Sequence, residues 1–282
     1  MNTYKKLLFV LLISLTVQIY PQEKLIFGVH PCFKAGEMKT RFSPLVEYLS
    51  KSIGIPIEFV VSQNYEGHIK VVGEDIIDIA YMGPYSYVNM VDDYGKKNII
   101  TMFETGGTAY LKGNIITGLN SNIKTLEDIK DHRTAFVSEK STMGFIVPMY
   151  YLYKSIHEKQ LFHNYKFLNN HLDVCTGVLI GDFDVGAVRH ESFLKNRSKG
   201  LRSIAEFDSI PEHIIIGRKG LDKNIVKAIR EALINIKSDK NSEKILKSLN
   251  PLLTGFVPAK DSDFNKLRKI EKYLKEKGII YE

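Results

Sequence analysis

Two adjacent hydroxyls and a glycine sit in the run Ser138-Glu139-Lys140-Ser141-Thr142-Met143-Gly144, between an apolar segment and a helical pattern. Arg133 to Val137 (Arg-Thr-Ala-Phe-Val) suits a buried strand. Phe145, Met149, Leu152 and Ile156 then recur at intervals of four, three and four, one face of a helix. A helix start leaves its first N–H groups unpaired and carries about half a positive charge, so hydroxyls and a glycine there can wrap a phosphoryl-like oxyanion. The plainer reading is an ordinary N-cap, where Ser and Thr are favoured in any helix. Both readings stand on this segment alone. Pro148 lacks a backbone donor and predicts a kink or a shifted helix start.

The elements that must position this loop alternate short strand-like runs with amphipathic segments from Glu23 onward, the rhythm of an α/β protein with mainly parallel strands. Leu25 to Val29 reads as a first strand. Ser43-Pro44 reads as a capped helix start, with Leu45, Tyr48, Leu49 and Ile53 on one face and Gly54 as its stop. Ile57 to Val61 is a second strand, Tyr65 to Val72 a short helix and Ile76 to Tyr81 a third strand, before Gly83-Pro84 opens a helix to about Tyr94. A second series begins near Tyr110, with Asn114 to Thr117 extended, Thr125 and Asp128 spaced as a capping box, and Val185 to Val188 as its closing strand. His213 to Gly217 leads, as a strand, into a mainly helical tail capped at Asp222 and Ser262. No repeat or long polar linker interrupts this pattern. Two lobes, 23–106 plus 214–282 and 107–213, would thus be joined by short extended crossings near Thr101 to Tyr110 and Phe207 to Ile214. Two crossings imply a hinge.

The 282 residues, 44% of them hydrophobic, suffice for one large or two medium domains. Lys5 and Lys6 precede an apolar run from Leu7 to Val17, broken by Ser14 and Thr16, which makes residues 1–22 a signal-peptide pattern too short to span a bilayer comfortably. Gln18, Ile19, Tyr20 and Pro21 lack the small residues of a cleavage site, so an uncleaved anchor stays open, and no cysteine closes the run for acylation. The expectation is an exported protein. Without Lys5 and Lys6 the formal charge of +7 falls to about +5, a weak bias toward anionic ligands. The basic C-terminal residues alternate with Glu271 and Glu276 as on a solvated helix face, without the aromatics that would suggest nucleic-acid binding. Cys32 and Cys175 are far apart and read as two buried free thiols. The eight histidines lack metal-site spacing, and no metal or cofactor is expected.

Pro44-Leu45 with Tyr48-Leu49, Tyr65-Glu66-Gly67, Asp78-Ile79-Ala80 with Gly83-Pro84, Ser141-Thr142 with Gly144 and Pro148, Asp184-Val185-Gly186-Ala187-Val188, and Gly255-Phe256 ahead of Asp261 occur in that order. Together they resemble the substrate-binding subunits of bacterial ABC importers for phosphate, phosphite and phosphonates. The resemblance implies a bilobal periplasmic-binding-protein fold, with the ligand cleft between two α/β lobes, and a monomer that delivers a phosphoryl anion to a membrane permease. It implies that Ser141 and Thr142, with N–H groups near Gly144, hold the phosphoryl oxygens, that Tyr65 and Tyr110 face them, and that the Tyr81 to Ser86 turn, with Gly83, closes on the ligand. His171 would reach the anion and could make binding respond to pH near neutrality. Glu191 would meet the ammonium of an aminoalkyl-phosphonate, or oppose a dianion that lacks one. Met143 stands where the family often has a third hydroxyl, and Glu212-His213 where it has a second acidic residue. Without the resemblance, Tyr65 and Tyr110 read as core residues, His171 as a cap or surface histidine, and Glu191 as an exposed first-turn glutamate.

Two other functions compete. An exported hydrolase would use Ser141 as nucleophile and His171 as base, although no G-x-S-x-G elbow is present. A binding module could instead present its closed state to a membrane receptor or kinase. Activity on a phosphate ester would mark the first, and a neighbouring kinase gene the second.

Overall fold

The computed structural model describes residues 24–156 and 164–281. The signal-peptide pattern of residues 1–22 lies outside them. In chain order the strands are β1 (Leu25–Val29), β2 (Ile57–Val61), β3 (Ile79–Met82), β4 (Asn98–Thr105), β5 (Tyr110–Gly118), β6 (Thr134–Phe136), β7 (Tyr165–Phe167), β8 (Val185–Arg189), β9 (Leu201–Pro211), β10 (Ile214–Gly217) and β11 (Leu253–Val257). The helices are α1 (Ala35–Ile53), α2 (Tyr65–Gly73), α3 (Pro84–Tyr94), α4 (Val147–Ile156), α5 (His171–Leu179), α6 (His190–Arg197), α7 (Lys223–Ile234), α8 (Ser242–Leu249) and α9 (Asn265–Glu276).

Two sheets result. The first runs β11-β4-β10-β3-β1-β2 and the second β7-β6-β8-β5-β9. β1 pairs in parallel with β2 and β3, as β6 does with β7 and β8, while β10 runs antiparallel to β3 and β4. The chain passes between sheets twice, through residues 106–109 and through Glu212-His213. These crossings lie side by side, since the Glu212 amide donates to the Ala109 carbonyl at 2.8 Å and Phe103 donates to the His213 carbonyl at 2.9 Å.

Each sheet packs helices on its faces because its strands are apolar on both sides. Phe27, Leu45, Leu49, Ile229 and Leu233 form one core under α1 and α7, and Val137, Val174, Cys175 and Val188 belong to another in the second lobe. A third core runs from Tyr87 and Phe264 to Phe136 and Phe145, joining the two lobes. α9 packs against both α3 and α4, and its buried Glu271 accepts from the Tyr85 hydroxyl at 3.1 Å and Asn89 at 3.2 Å. Cys32 and Cys175 are buried free thiols.

Several elements depart from the sequence reading. α1 begins at Ala35 and carries Pro44 inside it. The apolar stripe extends upstream through Met38 and Phe42, and burying it outweighs the donor that Pro44 lacks. β4 and β9 occupy much of the segments expected as plain crossings, and β11 interrupts the expected helical tail. β7 was not expected from its three residues, and β3 begins at Ile79. Ser262 caps no α-helix, because a 3-10 turn at Asp261–Phe264 precedes α9. Asp222 does cap α7, accepting from the Asn224 and Ile225 amides.

Leu274 is fully buried on the α9 face that bridges the lobes. Leu274→Ala should lower the unfolding free energy by about 2–5 kcal/mol in urea titrations. An unchanged midpoint would mean that α9 is not part of the cooperative core.

Candidate functional site

The Ser141 loop ends in an unusual turn. Thr142–Ile146 forms a π-helical turn in which Ile146 donates to the Ser141 carbonyl at 3.1 Å, and α4 begins only at Val147. Pro148 therefore falls in the first turn of α4, where a missing N–H is tolerated. The Gly144 carbonyl, which has no proline donor four residues on, accepts instead from Val137 N at 3.1 Å and ties the turn to β6. Ser141 is the cap, its Oγ accepting from Gly144 N at 3.1 Å. The ordinary-cap reading of the loop therefore holds, on a turn whose residues from Ser141 to Ile146 are all buried.

The loop docks on the first lobe at the start of another helix. Tyr85 N donates to Thr142 Oγ1 at 2.9 Å, and Ser86 Oγ donates to the Lys140 carbonyl at 3.3 Å. Gly83 is the N-cap of that helix, α3. Tyr65 and His171 are the first residues of α2 and α5, and Arg189 is the N-cap of α6. Five helix starts from two lobes therefore contribute residues to one region, and each adds a partial positive charge.

Buried rings line the region. Tyr81 stacks on His213 with centroids 4.9 Å apart and on His30 at 5.3 Å, and His30 lies 4.6 Å from the Tyr65 ring. Tyr65 is 4% exposed, and burial raises the pKa of its hydroxyl so that it keeps its proton. His68 is pinned by Ser62 Oγ at Nδ1 and by the Tyr81 carbonyl at Nε2. His171 Nδ1 accepts from Arg189 N at 3.2 Å, which assigns the proton of its neutral ring to Nε2.

Titration follows from this burial. Desolvation, helped by the neighbouring histidines and Arg189, holds His30 well below its ordinary pKa. Burial and then Arg189 do the same to His171, which moves its titration away from neutrality, contrary to the sequence expectation. Burial takes His68 down to about 4. Burial would push the Glu212 carboxyl up, but donors from the His213 side chain and backbone, with the Arg189 charge, hold it at about 2. Thr105 Oγ1 also donates to Glu212, at 2.9 Å, so this carboxylate ties together the two crossings.

Tyr65, Tyr81, Gly83, Ser86, Ser141, Thr142, Gly144, His171 and His213 are thus gathered where the lobes meet. Three expected contacts are not. Tyr110 is 55% exposed and stands apart from the buried rings, on an open pocket that it lines together with Arg189, Glu191, Glu212 and Asn250. Met143 faces the apolar core, its side chain packed so closely on Gly113 that a Cβ there would meet its sulfur at 2.8 Å. Glu191 is neither exposed nor free: Arg41 Nη1 lies 2.9 Å from its Oε1 and Arg189 Nη2 lies 3.8 Å from its Oε2. Sequence reasoning missed His30, His68 and Arg189. His30 and Arg189 end or directly follow apolar strands, the carboxyl ends at which α/β sheets place their sites, and that position was the available signal. Both His30 ring nitrogens and Arg189 Nε are buried without a hydrogen-bond partner. Among the described residues no group of three or more His, Cys, Asp or Glu could hold a metal ion, and no helix is long and apolar enough to cross a membrane.

This fold and site define a two-lobed solute-binding protein. The family model described as the periplasmic substrate-binding protein of phosphonate ABC transporters matches residues 27–264, and the chain belongs to that family. It is 24% identical over 266 residues, 88% of each chain, to the probable ABC transporter phosphite binding protein PhnD1 of Prochlorococcus marinus. A match to the phosphate-import protein PhnD of Mycolicibacterium smegmatis is 27% identical over 138 residues, spanning 48% of this chain and only 43% of that one. Among solved structures, Prochlorococcus marinus PhnD1 in complex with methylphosphonate superposes with a TM-score of 0.80 at 21% identity, covering 89% of this chain and 98% of the other.

A Cβ at Gly144 would lie 2.5 Å from Val137 and 2.6 Å from Ser141 Oγ. Gly144→Ala should cost about 1–3 kcal/mol of stability in chemical denaturation, since backbone must shift. An unchanged stability would show the turn to be slack. The pH dependence has a definite sign. Between 6.5 and about 4 the unfolded chain binds a proton at His68 that the folded chain does not, so stability falls as pH falls through that window. The Glu212 contribution, complete above 4.5, is lost on going down toward about 2. The melting temperature of the ligand-free protein should therefore decrease from neutrality to pH 4, and a flat profile there would contradict the buried neutral imidazoles.

Proposed function

We propose that this protein captures a small phosphoryl oxyanion, a phosphonate, phosphite or phosphate, between its lobes and delivers it to the permease of an ABC importer. The lobes are residues 23–106 plus 214–282 and residues 107–213, and they close about the crossings at 106–109 and 212–213. The observation that carries this reading is the convergence of donors from both lobes, Ser141, Thr142, Tyr65 and His171 Nε2, on a region where buried donors at His30 and Arg189 lack a protein partner. Several converging donors can hold a charged oxyanion with short, strong hydrogen bonds. The protein acts as an exported monomer, and residues 1–22 direct it out of the cytoplasm.

Binding without catalysis fits the side-chain roles. Ser141 Oγ is engaged by Gly144 N, and His171 Nδ1 by the Arg189 amide. With Nδ1 occupied, neutral His171 presents a donor to the site and leaves no free lone pair to activate a serine. Ser141→Ala should weaken the best phosphoryl ligand by about 1.5–3 kcal/mol in isothermal titration, while the lost cap costs the free protein about 0.5–2 kcal/mol of stability without unfolding it. An unchanged dissociation constant would refute this site. Hydrolysis of a phosphate ester by the wild-type protein would refute the purely binding role.

A further inference from the structure

We infer that Arg189 is the ligand's charge partner and that it selects oxyanions carrying no cationic substituent. The inference rests on the phosphoryl-binding reading above and adds which phosphoryl compounds the site accepts. Arg189 is 7% exposed, yet its Nε has no hydrogen-bond partner. Its other contacts are weak or shared. Nη1 approaches Cys32 Sγ at 3.9 Å, the guanidinium carbon lies 5.9 Å from the Phe33 ring centroid, and Nη2 stands 3.8 Å from Glu191 Oε2. A buried guanidinium with an unused donor is costly unless an anion completes it, and a phosphoryl oxygen matches its planar donor geometry.

His30 shares the same unmet need. It is 1% exposed and neither ring nitrogen is bonded; burial first, and then the charges around it including Arg189, hold its pKa down, as burial and then Arg189 do for His171 and His213. The Arg189 charge thus acts on His30 just after β1, His171 at the start of α5 and His213 just before β10, and His30 and His213 are the rings that stack against Tyr81. Most of the fixed donors in the cluster are neutral, and Arg189 supplies full charge beside them.

A ligand ammonium would need a buried carboxylate of its own, and the two in reach are taken. Glu191 is shared between Arg41 and Arg189, and its buried Oε2 lies against the Arg189 guanidinium without a hydrogen bond. Glu212 accepts from the His213 amide, His213 Nδ1 and Thr105. An ammonium placed on Glu191 Oε2 would therefore sit against a like charge in a region that excludes water, the arrangement by which interfaces reject wrong partners. Arg41 and Arg189 also cancel the negative charge that Glu191 would otherwise turn toward a dianion.

The test is isothermal titration of the full chain, refolded to strip carried-over ligand, with methylphosphonate, phosphite, phosphate and 2-aminoethylphosphonate near neutral pH. At least one amine-free anion should bind, with 2-aminoethylphosphonate at least about 100-fold weaker. Arg189→Gln should weaken the best ligand by about 100-fold or more and shrink its advantage over 2-aminoethylphosphonate to within about tenfold, while Arg189→Lys should retain more of both. Equal binding of methylphosphonate and 2-aminoethylphosphonate to the wild type would overturn the inference and leave the phosphoryl-binding reading standing. So would an unchanged preference in a folded Arg189→Gln protein. If Arg189→Gln does not fold, the Arg189→Lys comparison and the wild-type ratio decide. Binding of none of the four would overturn the functional reading, and this inference with it.

Discussion

Buried polar groups must be paired, and the meeting of the two lobes is organised by that constraint more than by any single contact. Arg189, His30, His68, His171, His213 and Glu212 are all nearly inaccessible to water, in a region where an unpaired polar group costs several kcal/mol. Most of their demands are met within the protein. His68 has Ser62 and the Tyr81 carbonyl, Glu212 has Thr105 and His213, and His171 has the Arg189 amide. What is left over among these groups is two imidazole nitrogens of His30 and one guanidinium donor of Arg189, which no protein atom satisfies. A structure that satisfied every group internally would be more stable and would have less reason to bind.

The same groups join the lobes to the crossings between them. Glu212 lies on one crossing, bonds through its backbone to Ala109 on the other, and receives Thr105 from the strand that leads into that one. Its carboxylate also orients His213, which stacks on Tyr81 and so on His30. The crossings are therefore linked to the ring stack through Glu212 and His213. α1 adds ion pairs across the lobes, from Arg41 to Glu191 and from Glu37 to Lys195. The first pair is nearly buried, whereas Lys195 is exposed and its pair with Glu37 contributes little.

Backbone geometry supplies the other half of the site. The π turn at Thr142–Ile146 lets Ser141 cap its own helix while Thr142 caps α3 in the opposite lobe, so the two hydroxyls of one sequence motif do different work. Pro148 makes the arrangement possible, because a residue with an N–H there would compete for the Gly144 carbonyl that now binds β6. Gly144 is required for the same reason, as Val137 and Ser141 leave no room for a side chain.

Much of this was legible in the sequence where the signal is local. The apolar runs of β1, β2, β6 and β8, the helix start at Gly83-Pro84, the Asp222 cap and the hydroxyl pair at Ser141-Thr142 follow from periodicity and capping, which act over a few residues. The alternating α/β order likewise implied the fold class. Local rules failed where long-range burial opposed them: Pro44 sits inside α1 because the stripe through Met38 and Phe42 is buried, and β11 forms because β4 offers it an edge. The sequence could not show that Glu191 would be held by Arg41, 150 residues away, or that Tyr110 would turn to solvent. By itself, then, the chain order determined which segments become strands, helices and anion-ready loops. Only the tertiary structure decided which charges pair and which buried donors are left without partners, because desolvation and pairing depend on neighbours brought together by folding rather than by sequence.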